Sequence, residues 1–371
     1  MFESILTFSL KVYTIPSPGS SGVYLNQNLS IFFNDFMVSS SVNMQTSEGA
    51  CTGTVQISKD NFSTCIGGTI SSVDDRLFTV TPVYTLWDDS QYSIKVSTEV
   101  QSQSYTPILQ NYISFFNTES MPYRTNLQLW YKANAITGYA DGAPITTDWP
   151  DSGPNGWGAA PAFSPTFTAS AIQGKPAVTF LRAGSNRFTV TAAANGFTNA
   201  TSGISTFVVF NISNSADGFI QNSFDISVGT SIGPSRFNML RSAGNQHRVE
   251  GREDDTDTLE NVAAGAYTSN VFTIDTGILD YANNDIFLYN NGTLIASNTS
   301  LAWSTGYGTT SENTDSFGMT IGCGSSYGEF LDGQIAEIIV FNSVLSASAR
   351  QSIECYLSRK YGIALTGVTC S

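Results

Sequence analysis

Between residues 10 and 118, apolar and polar residues alternate with a period of two. Leu29, Ile31 and Phe33 alternate with Ser30 and Phe32, and Tyr92, Ile94 and Val96 with Ser93 and Lys95. That period predicts half-buried strands. Residues 76–81, stopped by Pro82, and residues 111–116 predict two more. Runs this short, broken by Pro, Gly and Asp, predict a small β-sandwich.

Residues 119–125 read as a linker, and a second β-rich region runs over 126–371. Phe207-Val-Val-Phe predicts a central strand, and Gln334-Ile-Ala-Glu-Ile-Ile-Val-Phe another. Residues 285–297 predict a hairpin, because Asn291-Gly292 supplies the positive φ angles of a type I′ turn. A single helix is predicted near the C-terminus. Ser346 is its N-cap, and Ile353, Tyr356, Leu357 and Tyr361 form one buried stripe. Arg359 and Lys360 suit its C-terminal dipole, and Gly362 ends it.

Composition narrows the function. The chain has 371 residues, of which only 12% are charged, and its formal charge is −14. Residues 1–120 hold 4 Lys and Arg against 10 Asp and Glu (−6), and the remainder 12 against 20 (−8). Neither part has the basic surplus of a nucleic-acid footprint. No apolar run approaches the roughly 20 residues of a transmembrane helix. One histidine, His247, rules out a histidine-based metal cage. It reads as an ordinary surface or interstrand residue.

Of five cysteines none forms C-x-x-C. Cys51 and Cys65 bracket the short polar segment 52–64, and Cys355 and Cys370 lie close together. The reading is two disulfides with Cys323 left over and buried. A bridge closing a loop of this size contributes about 3 kcal/mol on the chain-entropy model. The alternative is five unrelated reduced cysteines. Two disulfides imply an oxidising compartment. Residues 1–8 show no basic n-region and no small-residue cleavage site. The expectation is a signal removed ahead of this numbering, or export by another route.

Residues 10–118 resemble the bacterial Ig-like domains of surface proteins (the Big_5 type). The resemblance is carried by Ile15-Pro-Ser-Pro-Gly-Ser-Ser-Gly-Val, Leu29-Ser-Ile-Phe-Phe-Asn-Asp-Phe-Met, Phe78-Thr-Val-Thr-Pro and Phe115-Phe-Asn-Thr. It implies a spacer or adhesion module over 1–118, with residues 51–65 as an insertion whose cysteines pair. The second region resembles the laminin-G-like, concanavalin A-type jelly rolls of bacterial extracellular proteins. Here the carriers are Leu129-Trp-Tyr-Lys-Ala, Trp149-Pro-Asp-Ser-Gly-Pro-Asn-Gly, the Asn291-Gly292 turn, and Asp332-Gly-Gln-Ile-Ala-Glu-Ile-Ile-Val-Phe-Asn with the helix after it. Pro154 and a long acidic segment near residue 255 depart from that pattern. The resemblance implies a two-sheet jelly roll of fourteen or so strands with a binding role, though fold alone does not fix function. The expected class is thus all-β, an Ig-like sandwich followed by a larger jelly roll with one C-terminal helix.

Candidate chemistry concentrates in three places. Trp149, Trp157, Trp303, Tyr307 and Tyr327 lie in turn-rich stretches, where aromatic faces can stack on sugar rings. Asp254, Asp255, Asp257 and Glu260 supply hard oxygen ligands for Ca²⁺ without an EF-hand frame, and Asp141, Asp148 and Asp151 form a second possible cluster. Asp255, Asp257 and Glu260 also approximate the Glu-x-Asp-x-x-Glu of jelly-roll glucanases. Retaining hydrolysis needs two carboxyls about 5–5.5 Å apart. Gly324-Ser-Ser-Tyr-Gly328 matches a nucleophile elbow, but no histidine follows it, so a glycine-rich turn explains it. The expected function is a non-catalytic extracellular or cell-surface adhesion protein that binds a glycan or a host or matrix protein. The alternatives are a polysaccharide-degrading enzyme using Asp255 and Glu260, and a structural part of a surface appendage or phage tail.

Overall fold

The computed structural model describes residues 9–190, 197–198, 200–227, 235–242, 244–253, 257–301, 303, 319–324 and 328–370. The chain divides into two compact units, Met1–Pro122 and Tyr123–Ser371.

In the first unit, Val12–Ile15, Leu29–Phe33, Leu77–Pro82 and Gly68–Ser72 form a four-stranded sheet in that order. Val55–Ser58, Gln91–Val96 and Tyr112–Asn117 form a three-stranded one. The expected alternation holds: Ile31, Phe33 and Val80 from one sheet meet Ile57, Ile94 and Phe116 from the other in one core. Tyr92 stacks on Phe116 with ring centroids 5.7 Å apart. Cys51 and Cys65 are bridged. The enclosed segment does more than the expected polar insertion, because its strand Val55–Ser58 pairs with Gln91–Val96 and buries Val55 and Ile57 completely.

The second unit is a jelly-roll sandwich of two antiparallel sheets. Among the described residues one sheet has eight strands. Seven run in the order Thr166–Ile172, Lys175–Phe180, Gly333–Phe341, Gly203–Ile212, Thr273–Asp280, Asp285–Asn290 and Thr293–Asn298. The eighth, Leu127–Lys132, pairs with the last part of Gly333–Phe341. The other sheet has seven: Glu260–Ala264, His247–Gly251, Ser235–Arg241, Gln221–Ser227, Met319–Ile321, Arg187–Val190 and Ala159–Ala162. Facing apolar residues fill the space between them, including Val208, Phe210, Ile335 and Val340 against Phe188, Phe224, Val249 and Ile321. Gly203–Ile212 is buried along its whole length, as its apolar run predicts for a central strand. The hairpin turn has φ 45° at Asn291 and 81° at Gly292, the left-handed values its type requires.

His247 is neither a surface residue nor a link within one sheet. It points inward, and its Nδ1 lies 2.7 Å from Asp275 Oδ2 on the opposite sheet. Tyr267 Oη and Asn290 Nδ2 each donate to the same carboxylate at 2.8 Å. Four polar side chains thus satisfy one another inside the sandwich, which makes their burial tolerable.

The helix Ala347–Tyr361 begins where Ser346 Oγ accepts from Ala349 N–H and ends at Gly362 (φ 63°). It lies on the outer face of the eight-stranded sheet and buries Ile353, Tyr356, Leu357 and Tyr361 there. At the centre of this contact Glu337 is completely buried. It accepts from Trp130 Nε1 at 2.5 Å and Tyr361 Oη at 2.7 Å, and pairs with Lys360 Nζ at 2.8 Å. Glu354 accepts from Thr276 Oγ1 and pairs with Arg350 at 2.5 Å. A second disulfide, Cys355–Cys370, ties the helix to the chain after it.

Glu337→Leu leaves the Lys360 ammonium buried without its counter-charge. Equilibrium denaturation is expected to show a loss of about 3–5 kcal/mol. Glu337→Leu with Lys360→Met should recover most of it, since an apolar pair needs no partner charge. Equal stability of the single variant and the wild-type chain would refute this account of the helix contact.

Candidate binding site on the seven-stranded sheet

Along the seven-stranded sheet, side chains alternate between the core and the outer face. Phe188, Phe224, Ile226, Met239, Val249, Val262 and Ile321 point inward. The intervening positions Thr189, Asp225, Arg248, Glu250, Asn261 and Thr320 therefore fall on the outer face. The register aligns them in one row across the strands: Asn261 opposite Glu250, Glu250 opposite Asn238, Asn238 opposite Asp225, Asp225 opposite Thr320, and Thr320 opposite Thr189. A chain with few charges thus places several of them on one sheet face.

A β-bulge adds Asn222 to the group. Regular alternation would give Asn222 the same face as Phe224. Instead the register shifts between them, with Asn222 opposite Leu240 and Phe224 opposite Met239. The extra residue, Ser223, ties its Oγ to Met239 O at 2.8 Å, and Asn222 turns outward. Its Nδ2 lies 3.4 Å from Asp225 Oδ2. Its backbone N–H donates to Glu329 O at 2.8 Å, which anchors the Glu329 turn over this strand. The Glu329 side chain fits there because residue 324 is glycine: a Cβ on Gly324 would lie 2.8 Å from Glu329 Oε2 and 3.5 Å from Asn222 Nδ2.

The resulting floor is withdrawn from water, with Asn222 at 0%, Asp225 at 1% and Glu250 at 7% exposure. Glu329 is exposed at its rim. Arg248 Nη2 pairs with Glu250 at 2.5 Å. Loss of hydration and then the nearby Glu250 charge raise the Glu329 carboxyl above the usual range, while a hydrogen bond from Asn222 and the charge of Arg248 pull it back. Burial pushes the neighbouring Cys323 thiol up to about 12, and the thiol feels the charges of Arg187, Asp225 and Glu329, which places all three around it. Arg187 stacks at 4.6 Å over the exposed ring of Phe163, so an aromatic surface borders the polar row. Asn222 Oδ1, an acceptor, and Arg248 Nε, a donor, are buried and have no partner among the described residues.

The aromatic residues singled out from sequence are placed differently. Trp149 is fully buried between Tyr131 and Phe188, and its Nε1 donates to Lys132 O. The turn that carries it closes by a two-way bridge between Trp149 and Ala159, which swings the ring into the core. Trp303 is also buried, against Tyr281. Neither offers a face to a sugar, which corrects the expectation that turn-rich surroundings expose them. Trp157 is half-buried and stacked on Phe197 at 6.3 Å. Tyr307, Tyr327, Asp254 and Asp255 lie outside the described residues. Asp257 is buried, and its carbonyl accepts from Arg252, while Glu260 opens the edge strand opposite Gly251. No group of three or more His, Cys, Asp or Glu able to hold a metal occurs among the described residues. Asp151 instead orders its own loop, accepting from Trp130, Gly153 and Trp157 N–H groups, and Asp141 accepts from Ala169 N–H.

Sequence reasoning missed Asn222, Asp225, Arg248, Glu250 and Glu329. A signal for the strand residues was present in Phe224-Asp-Ile and Arg248-Val-Glu, charges interleaved with core residues at period two. Asn222 depends on a bulge and Glu329 on a long-range turn, and neither leaves a local signature.

The family model described as a bacterial Ig-like domain matches residues 10–118, and the first unit is a bacterial Ig-like domain. No curated protein matches the chain. Among solved structures, the chain is similar to the CBM40 of the Ruminococcus gnavus IT-sialidase bound to α2,3 sialyllactose, at 19% identity over 40% of this chain and 79% of that one, with a TM-score of 0.33. It is similar to botulinum neurotoxin type C, whose cell entry is dependent upon interaction with two ganglioside molecules, at 12% identity over 64% and 52%, TM-score 0.44. It is also similar to the binding domain of botulinum neurotoxin DC in complex with rat synaptotagmin II, at 11% identity over 65% and 53%, TM-score 0.42. The chain spans about half of each of those two toxin chains.

The raised Cys323 thiol predicts inertness, because the thiolate is the reactive form. Iodoacetamide at mildly alkaline pH should leave the folded chain unmodified and label one cysteine once it is unfolded without reductant. Labelling of the folded chain at the rate of a free thiol would contradict the placement of Cys323 beneath this face.

Proposed function

We propose that the chain is a non-catalytic binding protein of the bacterial cell surface or extracellular space. In this reading the jelly roll takes a carbohydrate on the outer face of its seven-stranded sheet, and the Ig-like unit serves as spacer. The observation that carries it is that a buried acceptor, Asn222 Oδ1, and a buried donor, Arg248 Nε, both on the outer side of that sheet, have no partner among the described residues. A buried polar group without a partner costs about 1–3 kcal/mol, so a ligand that satisfies both is favoured. A sugar hydroxyl gives and accepts hydrogen bonds at the same atom, and Phe163 provides an apolar surface for a ring at the edge. Two disulfides support an oxidising, extracytoplasmic location. No helix among the described residues is long and apolar enough to cross a membrane. Calcium at Asp254, Asp255, Asp257 and Glu260 belongs to the same proposal as a device that orders the loop before the edge strand. A host or matrix protein is the other partner class that such a face could take.

One observation favours a second reading, polysaccharide cleavage. Burial and then the nearby Glu250 charge hold Glu329 toward its protonated form, and a carboxyl raised in this way suits a general acid.

A glycan array, run with calcium and with a chelator, tests the proposal. Binding to a defined glycan class is expected, with Arg248→Ala and Asp225→Asn each weakening it by about tenfold or more when assayed well below each variant's own melting temperature. Loss of binding in chelator would support the calcium loop. Release of reducing ends from the bound polysaccharide would favour the enzyme instead. Undiminished binding by both variants would remove the site from this face.

A further inference from the structure

We propose that Tyr139 is a pH-operated latch: as the phenolate it pins the loop 139–147 more tightly than it does as the neutral phenol. The inference stands apart from the carbohydrate reading and concerns the loop that leads from strand Leu127–Lys132 to Trp149.

One side of this loop is fixed along the outer edge of Thr166–Ile172. Ile145 is buried. Its N–H donates to Pro165 O, Gly142 N–H to Phe167 O and Phe167 N–H to Ala143 O, at 2.7–2.9 Å. Farther on, Trp149 is anchored to Ala159. Between these anchors Thr146 and Thr147 are exposed. Their backbone N–H groups donate to Tyr139 Oη at 3.0 and 2.9 Å. Their hydroxyls lie 3.1 and 3.0 Å from the same oxygen. The half-buried Tyr139 ring rests against Phe167, with centroids 6.4 Å apart. Pro165 follows Phe163 and Ser164, so the fastened loop also holds the base of the turn that presents the exposed Phe163 ring.

Four groups around one phenol oxygen exceed what the neutral form can use. A phenol donates one hydrogen and accepts at two lone pairs. The two amides can only donate, and they fill that acceptor capacity. One threonine hydroxyl then takes the phenol's hydrogen, and the other faces an oxygen with nothing left to offer. Loss of the phenol proton removes the conflict. All four groups then donate to the anion, and bonds to a charged acceptor are roughly twice as strong as neutral ones. The Thr146 hydroxyl first, then the Thr147 hydroxyl and the Thr146 amide, hold the Tyr139 phenol down at about 8, against an ordinary value of about 10. Tyr92 and Tyr131 are the contrary case, since burial raises both. Among the described residues no charge contributes at Tyr139. Asp141 accepts from Ala169 N–H, Asp148 follows Thr147, and the strand packed on the ring, Thr166–Ile172, has no charged residue. Because the folded value lies below the unfolded one, the latch stabilises the loop fully above about pH 10. That contribution is lost as pH falls through about 8.

Phenolate absorbance of the full chain, followed from neutral to alkaline pH in the wild type and in Tyr139→Phe, tests the titration. The difference between them should be one tyrosine that ionises near pH 8. Thr146→Val with Thr147→Val keeps both amides and removes both hydroxyls, and should move that step up by about one pH unit or more. Amide hydrogen exchange tests the latch. After correction for base catalysis, protection of the Thr146 and Thr147 amides should rise several-fold through the same pH range in the wild type and stay flat in Tyr139→Phe, whose ring keeps the Phe167 contact. Tyrosine steps only at the ordinary value, or an early step that survives in Tyr139→Phe, would overturn the proposal. An early step with unchanged amide protection would overturn it too, because the phenol would then ionise without fastening the loop.

Discussion

The outer face of the eight-stranded sheet is closed by a helix held on buried charge. Glu337 gathers Trp130 from one strand and Lys360 and Tyr361 from the helix around a single carboxylate. Each of these groups would be costly to bury alone, and together they satisfy one another. Arg350, Glu354 and Thr276 repeat the arrangement one face-width away. Because the contact is polar and geometrically specific, the helix has one seat on the sheet. That seat fixes which face of the sandwich is scaffold and leaves the opposite sheet's outer face to carry other chemistry.

The two outer faces therefore differ in kind. On the helix side every buried charge has its partner within the fold. On the other side a row of polar residues crosses the seven-stranded sheet, and beside it Asn222 Oδ1 and Arg248 Nε are buried without partners among the described residues. The inner network of His247, Asp275, Tyr267 and Asn290 joins the sheets from within and holds the His247–Gly251 strand in register with the core. Arg248 and Glu250 sit on that strand. The rigidity of the inner contact thus supports the placement of the outer charges, and a preorganised polar face loses less on binding a ligand.

Most of the scaffold was legible in the sequence. Period-two runs gave the first unit's strands, Asn291-Gly292 gave the hairpin, and Ser346 with Gly362 gave the helix, because each is decided by local chemistry. The site was far less legible. Trp149 and Trp303 sit among turn residues, yet the turns fold back and bury them, and that depends on contacts distant in sequence. Residues 52–64 looked like a polar insertion, but Val55 and Ile57 alternate with Gln56 and enter the core. Asn222 faces outward only because a bulge interrupts its strand, and Glu329 approaches it across roughly a hundred residues of chain.

The central claim is that the seven-stranded face is the ligand site. A crystal structure of the chain with a glycan that it binds on an array tests it most directly. The account predicts a sugar seated across the polar row, with one of its hydrogen-bond donors within reach of Asn222 Oδ1 and one of its oxygens accepting from Arg248 Nε. A sugar stacked on Trp157, or lying on the helix side with the polar row untouched, would contradict it.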